Sequence, residues 1–246
     1  MHVARTVFLR CLTAPSLAPV LFLGGVAAWV SSTLAASALG ADAAFLAEVR
    51  QGSLLFAGLL FLSLAEPLET GREARDGLLL LRAVRGGGFA LTARWAGLLA
   101  ATLVSLLPAA VVGGGWPRAP LAVVAGLGVF VAGGLLLGAC LRRAHLVPAL
   151  WALAVATHLR PWLASEAWTA PVAWLLPDLA AVERPAGLGA AACWVAGALL
   201  LTHARLARVA AGGPWPAGAG AAGGAGPLSA RPAHEDEAPG RQQLEG

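Results

Sequence analysis

The chain has no Lys, Ile, Asn or Tyr, and charged residues fill only 12% of its 246 positions. Each shortage excludes something. A Walker A loop needs a Lys at the nucleotide phosphates, and a pyridoxal phosphate enzyme needs a Schiff-base Lys. Neither can be built here, so any ATP chemistry belongs to another chain. The three cysteines, Cys11, Cys140 and Cys193, lie far apart with no CxxC pair. That spacing argues against a disulfide framework or a thiolate metal site and reads as small apolar residues inside helices. GxSxG, HExxH and paired acids within an apolar run are all missing.

What remains is apolar. Hydrophobic residues make up 58% of the sequence and charged residues 12%, against about 25% charged in ordinary soluble domains. A water-soluble core at this length cannot hide so much apolar surface. A bilayer removes the difficulty, because lipid solvates the outer face. The expected fold class is therefore an all-α integral membrane protein.

All 17 basic residues are Arg, a bias of composition rather than a functional signal. They sit between apolar runs, so membrane topology explains them better than a nucleic-acid partner does. A span needs about 20 apolar residues. Six stretches qualify: 16–39, 49–66, 95–115, 120–141, 144–160 and 186–203. The second is short and carries Arg50 and Glu66 at its ends, where charges can snorkel. Pro108 and Pro148 fall inside spans and predict kinks. Before the first span, Val3, Val7, Phe8, Cys11 and Leu12 share a helical face flanked by Arg5 and Arg10, which predicts an interfacial helix. The uncharged run that follows is longer than the roughly 7–15 residues of a signal-peptide core, so it is read as a retained first helix.

Arginine sets the orientation. With the N-terminus inside, eleven arginines face the cytoplasm (5, 10, 72, 75, 82, 85, 94, 142, 143, 205, 208) and four face out (50, 118, 160, 184). Both termini are thus expected in the cytoplasm and the chain in a plasma (inner) membrane. The outward 161–185 connection carries Trp162, Trp168 and Trp174. Tryptophan favours the membrane interface, so short helices lying on, or dipping into, the outer leaflet are expected. Residues 1–211 form the membrane domain. Residues 212–246, mostly Gly, Ala and Pro with a polar end, predict a disordered cytoplasmic tail.

Chemistry-bearing residues are few. His145, His158 and His203 fall near span ends, where imidazoles face water or headgroups. His158 and Arg160 are the candidate substrate-path pair, because an ionisable residue within a span is a functional candidate. The inside connection after the second span is the most informative stretch. Glu69, Arg72, Glu73, Arg75 and Asp76 can pair at i,i+3 and i,i+4 along a helix over about 70–84. Leu78 to Leu81 and Arg82 follow, and Gly86, Gly87 and Gly88 end it. Such an amphipathic helix under the bilayer can pass force from a cytoplasmic partner to the spans, or be held to anionic lipid by its arginines.

In this stretch the chain resembles the permease subunits of ABC-2 type ABC transporters. The resemblance rests on Glu66, Glu69, Gly71, Gly77, Leu78 to Leu81 and Arg94, and on the Pro-centred Trp174-Leu175-Leu176-Pro177-Asp178-Leu179 before the last span. It covers about residues 1–209. Where such permeases commonly have Lys at the start of the third span, this chain has Arg94. The resemblance implies a non-enzymatic transport subunit, commonly an exporter, that pairs with a second copy or a sister permease within membrane lipid. A separate ABC ATPase, carrying ATP and Mg, would dock on Glu69, Gly71, Arg72, Arg75, Asp76, Arg82 and Arg85. No cofactor is expected on this chain.

Three other classes stay open. A haem-exporter-like permease of cytochrome c maturation shares the six-span plan. An intramembrane hydrolase would have only Ser63 or Ser105 and a histidine to work with. A non-transporting membrane assembly protein has the same composition.

Overall fold

The computed structural model describes residues 2–14, 17–38, 43–64, 68, 89–112, 120–141, 143–179, 181–182 and 184–210. Among them every regular element is helical. In chain order these are α1 (His2–Leu12), α2 (Leu17–Ala38), α3 (Ala43–Leu64), α4 (Phe89–Ser105), α5 (Leu107–Val112), α6 (Pro120–Cys140), α7 (Arg143–His158), α8 (Arg160–Ser165), α9 (Ala170–Leu175) and α10 (Pro185–Ala210). Ala- and Leu-rich runs favour this state, and α5, α6, α8, α9 and α10 each begin at a proline or one residue before one.

Four stretches among the described residues are long and apolar enough to cross a membrane: Leu17–Leu34, Phe89–Val112, Pro120–Cys140 and Pro185–Val209. At 1.5 Å per residue, α6 with 21 residues is about 32 Å long, against a hydrocarbon thickness of about 30 Å. These helices point to a membrane protein. The other two expected spans are helical as well: α3 has 22 residues, and α7 is an apolar helix of 16. The expected amphipathic helix over 70–84 and the expected tail over 212–246 lie outside the described residues.

The bundle is organised around α6. Some 72% of that span is buried, against 22% for the spans of α2 and α10. An all-round apolar helix belongs at the centre of its neighbours, and α6 touches α3, α4, α7 and α10. Its run of glycines permits that crowding. A Cβ on Gly133 would meet Leu153 Cδ2 at 2.6 Å, and one on Gly134 would meet Leu68 Cδ2 at 2.9 Å. The outer helices turn apolar side chains outward instead, with Phe22 and Trp29 exposed on α2 and Leu200 and Leu201 on α10. In water such continuous apolar faces would associate, whereas in lipid they are solvated.

Small displacements from the expected boundaries matter. α3 begins at Ala43, so Arg50 lies two turns inside a helix and not at its end, and its Nε is buried without a hydrogen-bond partner. α4 begins by Phe89, so Arg94 sits within the third apolar helix and is buried, where the loop before the span was expected. Pro108 breaks that helix as expected: α4 stops at Ser105 and α5 resumes at Leu107. The Leu106 N–H is shared between the Thr102 and Leu103 carbonyls at 3.2 Å each. Pro148, by contrast, is carried inside a continuous α7.

Hydroxyls are satisfied within their own helices. Ser31, Thr33, Ser53, Thr102, Thr157 and Thr202 each donate to the carbonyl four residues back, as apolar surroundings require. Indoles make three of the hydrogen bonds between elements. Trp95 Nε1 donates to the Gly128 carbonyl of α6 at 2.9 Å, and Trp151 Nε1 donates to Ser63 Oγ of α3 at 2.9 Å. Trp194 Nε1 donates to the Leu175 carbonyl of α9, also at 2.9 Å. The N-terminal α1 lies against α4 with Cys11 buried and Val7 and Phe8 against the core. The two backbones approach so closely that a Cβ on Gly97 would stand 2.5 Å from the Ala4 carbonyl oxygen.

Candidate functional site

The expected ATPase-coupling residues Glu69, Gly71, Arg72, Arg75, Asp76, Arg82 and Arg85 lie outside the described residues. Their two flanks do not. Leu68, one residue before Glu69, is almost fully buried. Its side chain packs on Gly134 of α6, and its carbonyl lies over Gly138, where a Cβ would collide with it. Buried Arg94 of α4 stands at the other flank. The connection after α3 is therefore fastened at its start to the central helix.

The structure separates the expected substrate-path pair. His158 is exposed at the end of α7, whereas Arg160 is committed to a knot. Its Nη1 donates to Asp178 Oδ2 at 2.5 Å. Its Nε donates to the carbonyls of Ala173 and Leu176 at 3.1 and 3.0 Å. Asp178 Oδ1 in turn accepts the Ala181 N–H at 3.2 Å. Helix C-termini leave carbonyls without intrahelical donors, and a cation there also opposes the partial negative charge of the helix end. One guanidinium thus ties α8 to the end of α9, and Asp178 neutralises it.

The same knot organises the outward connection. Thr169 Oγ1 donates to the Leu163 carbonyl at 2.6 Å, closing the turn between α8 and α9, and Trp194 caps the Leu175 carbonyl from α10. Short irregular backbone tolerates lipid only when such carbonyls are shielded. With them capped, Trp162, Trp168 and Trp174 project 70%, 81% and 83% exposed. Indoles so placed suit the headgroup layer.

A second feature was not legible from the expected site residues. An apolar groove of about 870 Å³ runs between α4, α6 and α10, with Trp95, Leu99, Val124, Val195 and Leu199 in its walls. Thr92 and His203 also line it, and His203 Nδ1 is buried without a hydrogen-bond partner. Sequence reasoning put His203 at a span end, facing water or headgroups. Because α10 continues to Ala210, the residue instead extends the stripe of Leu188, Ala192, Val195 and Leu199. Following that period of 3.6 past the expected end would have found it.

Ser63 and Ser105 are engaged elsewhere. Ser63 Oγ donates to the Leu59 carbonyl and accepts from Trp151, and Ser105 Oγ donates to the Thr102 carbonyl at 2.7 Å. Among the described residues no three His, Cys, Asp or Glu side chains converge on a metal position. In comparisons with known proteins, no family model, no curated protein and no solved structure matches the chain.

Proposed function

We propose that this chain is the membrane-spanning permease subunit of an ABC-2-like ATP-binding cassette exporter, crossing the membrane six times with both termini in the cytoplasm. A separate ATPase supplies the energy and docks on the connection after α3, and a second permease copy or a sister subunit completes the transporter. The observation that carries the reading is the seat of Leu68. Force applied to residues 69–85 reaches α6 directly through Leu68, whose side chain packs on Gly134 and whose carbonyl lies over Gly138. Through α6 it reaches α3, α4, α7 and α10, all of which touch it. Interiors packed at crystal-like density transmit such displacements instead of absorbing them.

The absence of Lys supports the division of labour, since this chain has no means of its own to hold nucleotide phosphates in a Walker A loop. The test is purification in mild detergent from cells that express the candidate ATPase. An ATPase should co-purify, and replacing Arg72, Arg75 and Asp76 together by Ala should abolish transport while leaving the bundle folded. Absence of any associated ATPase, with transport unchanged in the triple variant, overturns the reading.

A further inference from the structure

The groove between α4, α6 and α10 is the feature that neither the coupling connection nor the arginine knot uses. It follows α10 from Leu188 to His203, a rise of about 22 Å at 1.5 Å per residue. That exceeds one leaflet of hydrocarbon, about 15 Å, so an acyl chain fits along it lengthwise. Its volume of about 870 Å³ falls within the ~300–1,000 Å³ of small-molecule sites. Such sites are mostly apolar with a few polar groups that fix orientation. Here Thr92 and His203 are those groups; the half-buried imidazole has its Nδ1 closed off from the groove, which leaves Nε2 as the nitrogen a ligand can reach. A neutral imidazole can offer that nitrogen as donor or acceptor.

We propose that this groove is a binding site for a membrane phospholipid, with one acyl chain along α10 and an oxygen of the headgroup hydrogen-bonded to His203 beside Thr92. Lipid chemistry matches both halves of the site: a long uninterrupted apolar wall and a single hydrogen-bonding end. A helix from a second copy matches it less well, because with side chains it is about 10 Å across and carries no headgroup oxygen to the imidazole. The inference does not depend on a partner ATPase, so its failure leaves the permease reading untouched.

The experiment uses the full chain in nanodiscs of phosphatidylglycerol and phosphatidylcholine, doped with a phospholipid bearing a photoreactive diazirine on its acyl chain. Cross-linked residues are mapped by mass spectrometry. Labelling is expected to concentrate on Leu99, Val124, Val195 and Leu199, above the level at Phe22 and Trp29, which meet bulk lipid on α2. His203→Leu should lower retention of the bound lipid by about fivefold, the equivalent of one ordinary hydrogen bond. Ala196→Trp, which fills the groove, should reduce its labelling to the α2 level. Wild-type labelling that is even over α2 and the groove overturns the proposal without reference to any variant. So does efficient disulfide formation between copies through Leu200→Cys in a chain whose own cysteines are replaced by Ala, because it assigns the groove to a second copy.

Discussion

At the scale of single residues, the energetics are dominated by close approach and by carbonyls needing donors. Gly138 is the sharpest case. Its α-hydrogen faces the Leu68 carbonyl, and any Cβ must displace backbone. Overpacking of a tight core costs about 1–3 kcal/mol. Gly138→Val should therefore lower the thermal midpoint in detergent more severely than Gly189→Val, at a position with open space around it, and on the proposed permease reading should also uncouple transport. Equal effects of the two substitutions would remove the special standing of the Leu68 seat. The arginine knot makes a different prediction. The Arg160 and Asp178 side chains are 26% and 34% exposed, so their Coulomb pairing alone contributes on the order of 1 kcal/mol or less. Asp178→Asn should be mild. Arg160→Ala also strips the donor from the Leu176 carbonyl, at about 1–3 kcal/mol if left bare, and one of two donors from the Ala173 carbonyl, which keeps the Leu176 N–H; it should open the α8–α9 turn to limited proteolysis.

At the scale of elements, indoles supply three cross-links. Trp95 joins α4 to α6, Trp151 joins α7 to α3, and Trp194 joins α10 to α9. Interhelical hydrogen bonds in lipid average about 0.6 kcal/mol in double-mutant cycles. A cycle of Trp151→Phe with Ser63→Ala, read by unfolding in detergent, should give a coupling energy near that value, whereas zero coupling would show the contact to be incidental. The aromatic edge contact of Trp151 with Phe56, centroids 5.4 Å apart, is retained in Trp151→Phe only in part, so the cycle must be closed with the double variant. Helix positions were largely legible. The expected stretches at 16–39 and 120–141 match α2 and α6 within a residue or two, because uniform apolar runs ending at Pro or Gly leave little choice. The ends of α3 and α10 were misjudged for one reason: Arg50 and Arg205 were taken as marking span ends, but the helices run past both, from Ala43 and on to Ala210.

At the scale of the whole molecule, the orientation rests on the arginine bias, and it is testable directly. Cysteine accessibility in intact cells should place residues at both chain ends inside and Trp168 outside. Ends on opposite sides would require an odd number of crossings and would overturn the proposed six-span plan. The deep burial of α6 beside the lipid-ready faces of α2 and α10 further predicts that charge is tolerated unequally. Leu127→Arg should prevent folding, since an unpaired charge in a packed interior costs several kcal/mol. Leu121→Arg, exposed at the first turn of α6, should insert with snorkelling. Comparable yields of the two variants in membranes would contradict the central position of α6.

Composition and periodicity alone pointed to a helical membrane protein and, through the missing Lys, to the lack of a Walker A loop in these 246 residues. Those conclusions follow from solvation and covalent chemistry, which every residue carries with it. Only the tertiary structure decided which apolar helix is central, that Arg160 spends its donors on α9, and that Trp95, Trp151 and Trp194 tie the bundle. It alone decided that His203 ends a groove. Such facts depend on which surfaces meet, and a run of Ala, Gly and Leu is equally apolar on every side until its neighbours choose one.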